Sequence, residues 1–410
     1  MPYQWPNRSP LQRSGWVVPQ EEGTSTDGET LLCGIAGAFS FGAAASPIDR
    51  SVIDRLSEHQ RKRGPDGAGV WSTLDGRVTF AHRRLAIIET TAAGIQPMND
   101  ATGRWKVIFN GEIYNYMSVR ADLESVGRVF LTNSDTEVLI NAVAHWGEAG
   151  LLRLRGMYAF ALWDCVEEEL WLARDPYGIK PMYYAIDRGT IWFASQARAL
   201  AECAPVDIGR DAAGLTGFYL WGHVPEPFTW WVGIQSLPAG HLLRVRRGEN
   251  QPVAKAHFRI EDAFLNANPQ PLASGELRAL LLDSVRHHLV ADVPIGVFLS
   301  AGIDSTVIAA LATEIGATLQ TVTLAFDEYA GKAFDEAPSA ERVSKSLGTC
   351  HRTVRVGREA FEAMLDDFFR AMDQPTIDGL NTFIVSRIAA ANELRICGPS
   401  ASWGPPLLHF

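Results

Sequence analysis

Val297-Phe298-Leu299-Ser300-Ala301-Gly302-Ile303-Asp304-Ser305-Thr306 packs a strand, a small-residue loop and the start of a helix into one short stretch. Its strand, Gly296–Leu299, is short and apolar throughout, as strands buried on both faces of a parallel sheet tend to be. Backbone N–H groups of such a loop, with a helix N-terminus behind them, form a ready anion site. A plain helix start, capped by Asp304 or Ser305, fits the same residues. Around this stretch, residues 274 to 391 read helix, strand, loop, helix, strand, helix, with a second apolar strand at Leu319–Phe326. That alternation predicts an α/β unit with a parallel sheet.

Further out the character changes. Residues 204–273 are rich in Pro, Gly and Trp and read as a connecting segment. Before them, up to about residue 200, short apolar runs alternate with Gly and Asn turns, the pattern of a β-rich layered domain. Strands are expected at Trp105–Phe109, Met157–Trp163, Glu169–Ala173 and Ile191–Ala194, with helices at Ser51–Gln60 and Thr136–Trp146. Residues 1–32 have no periodicity and are expected to be disordered. The stretch Ile396–Phe410, with its Pro and Gly, carries neither strand nor helix character.

With 410 residues the chain is long enough for two or three domains. Hydrophobic residues make up 47% and charged residues 20%, as in ordinary globular proteins. A formal net charge of −10 argues against a nucleic-acid partner, which demands a basic surface. Five cysteines, Cys33, Cys165, Cys203, Cys350 and Cys397, form no C-x-x-C pair and suit reduced thiols rather than a disulfide frame or zinc site. The apolar run Leu31–Ser46 follows acidic rather than basic residues and is too short to span a bilayer. A cytoplasmic protein without membrane contact is expected.

In the first domain, Cys33-Gly34-Ile35-Ala36-Gly37 is followed by Arg63-Gly64-Pro65-Asp66-Gly67, His82-Arg83-Arg84-Leu85-Ala86-Ile87, Gln96-Pro97-Met98, Phe109-Asn110-Gly111-Glu112-Ile113-Tyr114-Asn115 and Ser134-Asp135-Thr136-Glu137. Gly156-Met157-Tyr158-Ala159-Phe160 and Arg174–Pro181 extend the series to residue 200. Each motif alone is weak, but the ordered set resembles the class II glutamine amidotransferases. The resemblance implies an Ntn-type α/β/β/α sandwich over 33–203. It implies that Cys33 is the nucleophile, with Asn110 and the Gly111 N–H as oxyanion donors, and that Arg84, Leu85, Ile87, Ile88, Asn110, Gly111, Glu112 and Asp135 bind glutamine.

The chemistry of these residue types agrees. Thiolate attack on a carboxamide needs a base, by resemblance the cysteine's own α-amino group, whose ordinary pKa is about 7.7–8.0. An oxyanion needs preorganised donors. The α-carboxylate of glutamine calls for a planar fork such as Arg84, and its α-ammonium for a carboxylate such as Asp135. Blander readings fit single residues: Asn110-Gly111 as a hairpin turn, Arg84 as a surface cation, Asp135 as a helix cap. A free α-amino group requires Cys33 to open the mature chain, yet 32 residues precede it. Removal of a propeptide, or translation from the Leu32 codon, is therefore expected, and N-terminal sequencing of active protein would test it.

In the second domain, Leu299, Ser300, Ala301, Gly302, Ile303, Asp304, Ser305 and Thr306 resemble the pyrophosphate loop of the ATP-pyrophosphatase family, which includes asparagine synthetases. Asp292-Val293-Pro294-Ile295-Gly296 leads into it, Val322–Phe326 places Leu324 near adenine, and Asp373–Thr382 continues the likeness. The resemblance implies an incomplete Rossmann-like adenine-nucleotide-binding domain over 274–394, with Asp304 holding Mg²⁺. Ala301 stands where the family has a glycine, adding a Cβ where backbone freedom could be needed. The resemblance further implies a ligase using glutamine, aspartate and ATP, through an aspartyl-adenylate, and is compatible with a homodimer. Residues 395–410 read as an aberrant tail replacing later family motifs, which predicts at most glutaminase activity and a poorly ordered second domain. An amidotransferase acting on another carboxylate, and an inactive fragment, are the competing expectations.

Overall fold

The computed structural model describes residues 32–249, 251–267, 273, 275–391 and 396–398. The expected disordered extension lies outside these residues except for Leu32, whose N–H donates to the Arg63 carbonyl at 2.9 Å. The first region is built on two six-stranded sheets. One runs β10 (Gln235–Ser236), β8 (Tyr183–Asp187), β9 (Thr190–Ala194), β1 (Gly34–Ser40), β3 (Val78–Arg84) and β2 (Gly67–Ser72). The other runs β12 (Lys255–Ala256), β11 (His241–Arg246), β7 (Glu169–Arg174), β6 (Gly156–Asp164), β5 (Trp105–Ile113) and β4 (Met98–Asn99). Neighbouring strands in both are antiparallel.

Period-two alternation decides the layers. Ile35 and Phe39 of β1, Phe80 of β3, Ala161 and Trp163 of β6 and Leu172 of β7 meet between the sheets. The opposite faces of the first sheet, with Ala36, Ala38 and Trp192, pack on α1 (Arg50–His59) and α4 (Ala197–Cys203). Those of the second, with Phe109, Phe160 and Leu162, pack on α2 (Tyr116–Ser125) and α3 (Asp135–Trp146). The result is the expected α/β/β/α sandwich.

One boundary moves. The segment read as a connector from 204 to 273 contains α5 (Ala212–Trp221), the strands β10, β11 and β12, and α6 (Ile260–Leu265). Leu243 and Val245 of β11 are fully buried between the sheets, so this strand completes the core instead of linking domains. Its many Pro and Gly residues mark turns between short strands, which hid the pattern.

The second region is a four-stranded parallel sheet in the order β15 (Cys350–Val356), β14 (Gln320–Phe326), β13 (Ile295–Phe298) and β16 (Ile396–Gly398). One face packs on α7 (Glu276–His288), α8 (Ile303–Glu314) and α9 (Ala337–Leu347), the other on α10 (Arg358–Ala371) and α11 (Gly379–Ala391). This is the expected α/β arrangement. The reading of 396–410 as lacking strand character is corrected at its start: Ile396–Gly398 pairs with Ile295–Val297. Strand pairing is made by the backbone, and the Pro and Gly that follow conceal so short a strand.

The regions touch through polar contacts. Asp373, before α11, accepts from the Ala197 and Arg198 N–H groups at the start of α4, at 2.9 and 2.8 Å. Burial pushes its carboxyl up to about 6. Among the described residues, no helix is long and apolar enough to cross a membrane.

Candidate active site

Cys33 lies at the entrance to β1, and its sulfur is held by the backbone of Leu85, just past β3. The Leu85 N–H donates to Sγ at 3.3 Å, and the thiol reaches the Leu85 carbonyl at 3.5 Å. Burial pushes the thiol up, while the Leu85 N–H, Lys180, Arg84 and Arg63 pull it back toward the thiolate. The sulfur opens into a cleft of about 460 Å³, mouth included, whose wall also carries Arg84, Leu85, Ile87, Ile88, Asn110, Gly111, Glu112 and Asp135. All nine residues read from sequence as the glutamine site are thus brought together.

Asn110 and Gly111 sit inside β5, paired with Ala159 and Tyr158, so the hairpin-turn reading fails. A Cβ on Gly111 would fall on the Met157 carbonyl oxygen, so the close approach of β5 to β6 requires glycine there. The Asn110 side chain is 1% exposed, yet its Nδ2 has no hydrogen-bond partner among the described residues. Buried donors are almost always paired, so a lone amide facing a cleft is a donor prepared for a ligand.

Asp135 is not the cap of α3; Ser134 is, through its hydroxyl and the Thr136 N–H at 3.2 Å. Asp135 instead accepts from the Ile113 N–H at 3.0 Å. Burial pushes its carboxyl up to about 7, with Glu112 adding to the rise against that hydrogen bond. Arg84 is no loose surface cation. Its guanidinium donates to the Thr91 carbonyl at 2.7 Å and to the Glu89 carbonyl, which ties down the loop after β3. Leu85, Ile87 and Ile88 on that loop form an apolar side of the cleft.

Gln96, Ser134, Thr136 and Lys180 also line the cleft, and although they stand in the quoted motifs they were not read from sequence as site residues. Gln96 accepts from the Phe109 N–H at 2.6 Å and donates to Thr136 at 3.2 Å, bracing β5 against α3. Lys180 is buried in the wall although it is a lysine, and burial lowers its pKa. The visible signal for Lys180 was its place between Ile179 and Pro181 in an otherwise apolar bend. His82 of β3 donates from Nε2 to the Phe109 carbonyl at 3.3 Å, and burial lowers its pKa to about 3.

In the second region the loop Leu299–Gly302 joins β13 to α8. The strand order places it beside the point where the chain, having run outward to β15, returns to β16. Open α/β sheets bind ligands at such reversal points, outside the carboxyl ends of the strands. Ser305 Oγ meets Ser300 Oγ at 2.9 Å and donates to the Ser300 carbonyl at 3.0 Å; the Gly302 N–H donates to Ser300 Oγ at 3.2 Å. Gly302, not Asp304 or Ser305, is the N-cap residue of α8, with no side-chain cap. Ala301 is absent from the left-handed residues, so its Cβ costs the loop no strain.

Ile303 and Asp304 are exposed and Thr306 half-buried, while Leu299 is buried behind the loop. Leu324 packs among α10 and α11 residues as a core side chain. Asp304 stands alone: among the described residues no group of three or more His, Cys, Asp or Glu is placed to hold a metal. A single carboxylate beside a phosphate loop still suits Mg²⁺, which is usually held by one or two carboxylates together with substrate phosphates.

A cysteine sulfur, an unpaired buried amide and a buried carboxylate in one cleft of an α/β/β/α sandwich define a glutamine amidotransferase site. The glutamine amidotransferase domain model matches residues 32–258, and the chain belongs to that family. A second model, asparagine synthase, matches residues 276–397. A putative asparagine synthetase of Mycobacterium tuberculosis is 36% identical over 364 residues, covering 85% of this chain and 55% of that protein. Asparagine synthetase 1 of Bacillus subtilis is 33% identical, covering 85% of this chain and 54% of its own length. Amidase chry2 of Gibberella zeae is 28% identical, covering 89% and 57%. The chain thus spans about half the length of the curated relatives it matches.

Proposed function

We propose that this protein hydrolyses glutamine at Cys33 and serves an ATP-dependent amidation of aspartate to asparagine in the cytoplasm. The carrying observation is the buried Asn110 amide, unpaired, in the same cleft as the Cys33 sulfur and the Asp135 carboxyl. Sγ gives its proton to the α-amino group of Cys33, in a chain that opens there, and attacks the glutamine carboxamide carbon. The oxyanion accepts from Asn110 Nδ2 and the Gly111 N–H. The C–N bond then breaks, the nitrogen takes up the proton and leaves as ammonia, and water cleaves the thioester to glutamate. Asp135 pairs with the substrate's ammonium, and Arg84 with its carboxylate.

At the other loop, the N–H groups of 300–306 would cradle the pyrophosphate of ATP, with Asp304 toward Mg²⁺. Bound there, Mg²⁺ would neutralise phosphate charge. Aspartate carboxylate attack on the α-phosphorus would release pyrophosphate, and ammonia would displace AMP from the aspartyl-adenylate. The test measures glutamate and asparagine formation from glutamine, with and without aspartate and ATP–Mg²⁺, beside a Cys33→Ala control. Cys33-dependent glutamate supports the first half, and asparagine the second; no Cys33-dependent glutamate would overturn the reading. The likeness to a fungal amidase favours, as a second reading, a different carboxylate acceptor. Glutamate release that responds to ATP but yields no asparagine would support it.

A further inference from the structure

The turn 195–198, between β9 and α4, is held from two sides. The first N–H groups of a helix lack partners within it, and a side chain just ahead usually supplies one. Among the described residues Gln196, ahead of α4, makes no such bond. The partner comes instead from Asp373, 176 residues further along the chain. Its Oδ2 accepts from the Ala197 N–H at 2.9 Å and its Oδ1 from the Arg198 N–H at 2.8 Å, and the residue is buried. Bonds from N–H groups to a carboxylate are among the stronger ones in a protein. On the other side the same turn clasps the nucleophile strand. Ser195, also buried, accepts from the Ile35 N–H through Oγ at 3.1 Å and donates its own N–H to the Ile35 carbonyl at 2.9 Å. The clasp lies just past Ala36↔Ala194, where the ladder of β1 and β9 begins, and Ile35 is two residues from Cys33. The other edge of β1 pairs with β3 from Gly34↔Arg83, and Leu85, whose N–H meets the sulfur, follows β3.

From this continuity we infer that Asp373 is a positioning residue for Cys33: a side chain of the second region fixes the turn 195–198 and, through Ser195 and Ile35, holds the nucleophile at its place in the cleft. It touches neither substrate nor sulfur. A misplacement of about 1 Å can slow a reaction about a hundredfold, so a tie this near the nucleophile bears on its rate. Gln374, the next residue, accepts from the Trp230 N–H at 3.0 Å and donates to the Tyr183 hydroxyl at 3.1 Å. It joins the same two regions without bonding to this turn. The inference deepens the glutamine reading, on which it rests for its purpose, by making hydrolysis at Cys33 depend on a residue of the second region.

The test compares Asp373→Ala with Gln374→Ala in the full chain, by glutamine kinetics and by backbone hydrogen exchange of peptides covering 34–40 and 195–203. Each variant removes two hydrogen bonds between the regions, so a role in docking alone would move both alike. Asp373→Ala should lower kcat about tenfold with KM within about twofold of the parent. Exchange over 34–40 should quicken about tenfold in the same variant, while Gln374→Ala should stay within about twofold of the parent in both readouts. Asp373→Asn keeps the shape and one acceptor; it should lose about threefold in kcat and takes the place of Asp373→Ala if that variant melts early. An unchanged kcat in the Asp373 variants, an equal loss in Gln374→Ala, or a rise in KM alone would overturn the inference. Parent protein that hydrolyses no glutamine, with exchange over 34–40 still quickened by Asp373→Ala, would overturn the functional reading and leave this one standing.

Discussion

The two regions hold their candidate sites in different ways. In the first, β5 and β6 pair from Trp105↔Asp164 to Ile113↔Gly156, and three buried clusters lock both sheets and four helices around the cleft. In the second, β13 pairs with β16 over only Ile295–Val297, and α7 has no buried residue, with Leu277 and Leu280 exposed. The first site is made of side chains aimed inward from a rigid frame. The second is a backbone loop at a strand end, whose hydroxyls bond to each other. The first site therefore offers side-chain donors fixed by packing, and the second the backbone N–H groups of an exposed loop at a helix start.

The sharpest way to break this comparison is Asn110→Ala. If the unpaired Nδ2 is a fixed oxyanion donor, its loss should lower glutamine hydrolysis by about 10²–10³ in kcat with little change in KM. A loss under tenfold would mean that the frame does not aim this amide at the reacting carbonyl, and the contrast with the second region would collapse.

Asp135 sharpens the contrast through pH. Its carboxyl, ordinarily near 3.8, is pushed up to about 7 by burial. Between those values the folded, ligand-free chain keeps a proton that the unfolded chain releases. This group therefore lowers stability as pH rises from about 4 to 7. Pairing with a substrate ammonium needs the carboxylate, so glutamine binding should strengthen as pH rises to about 7 and weaken about tenfold per unit below it. Calorimetry on Cys33→Ala isolates this from the thiol, and His82, lowered to about 3, does not titrate there. Asp135→Asn should flatten the profile; Glu112→Gln, which removes the neighbouring carboxyl, should leave its slope.

What was legible in the sequence follows the same division. The apolar runs of β6 and β7 were legible as strands of a β-rich layered domain, because buried strands leave a local apolar pattern, and the α/β/β/α sandwich followed from the resemblance carried by the ordered motifs. The site residues were legible through the ordered motifs that resemble the class II glutamine amidotransferases, although Asn110 and Gly111 lie inside β5 and not in a turn. Gln96 and Lys180 stood in the quoted motifs but were not read as site residues, because the cleft that brings them together with Cys33 forms only once β5, β7 and α3 converge. The strands β10, β11 and β16 were missed for a different reason. Each is short and stabilised by a partner distant in sequence, such as Leu172 for Leu243, so its own residues read as turns.

The smallest expected effect lies where the two regions meet. Asp292, on the lead into β13, accepts from the Glu89 N–H at 2.8 Å and donates its own N–H to the Ile87 carbonyl at 3.0 Å. The loop carrying Ile87 and Ile88 is thereby tied at one end to Arg84 and at the other to the strand that ends in the phosphate loop. Glu89 holds a left-handed backbone there, at φ 54°, a conformation that non-glycine residues keep only when their surroundings impose it. The Asp292 bond is exposed, and such a bond contributes about 0.5–1.5 kcal/mol, so Asp292→Ala should weaken glutamine binding by about two- to tenfold. Asp292→Asn, which keeps an acceptor, should restore most of it. If ATP–Mg²⁺ tightens glutamine binding in the parent protein and not in Asp292→Ala, this tie carries coupling between the two sites. Equal binding in parent and variant, with and without nucleotide, would mean that each region holds its ligand alone.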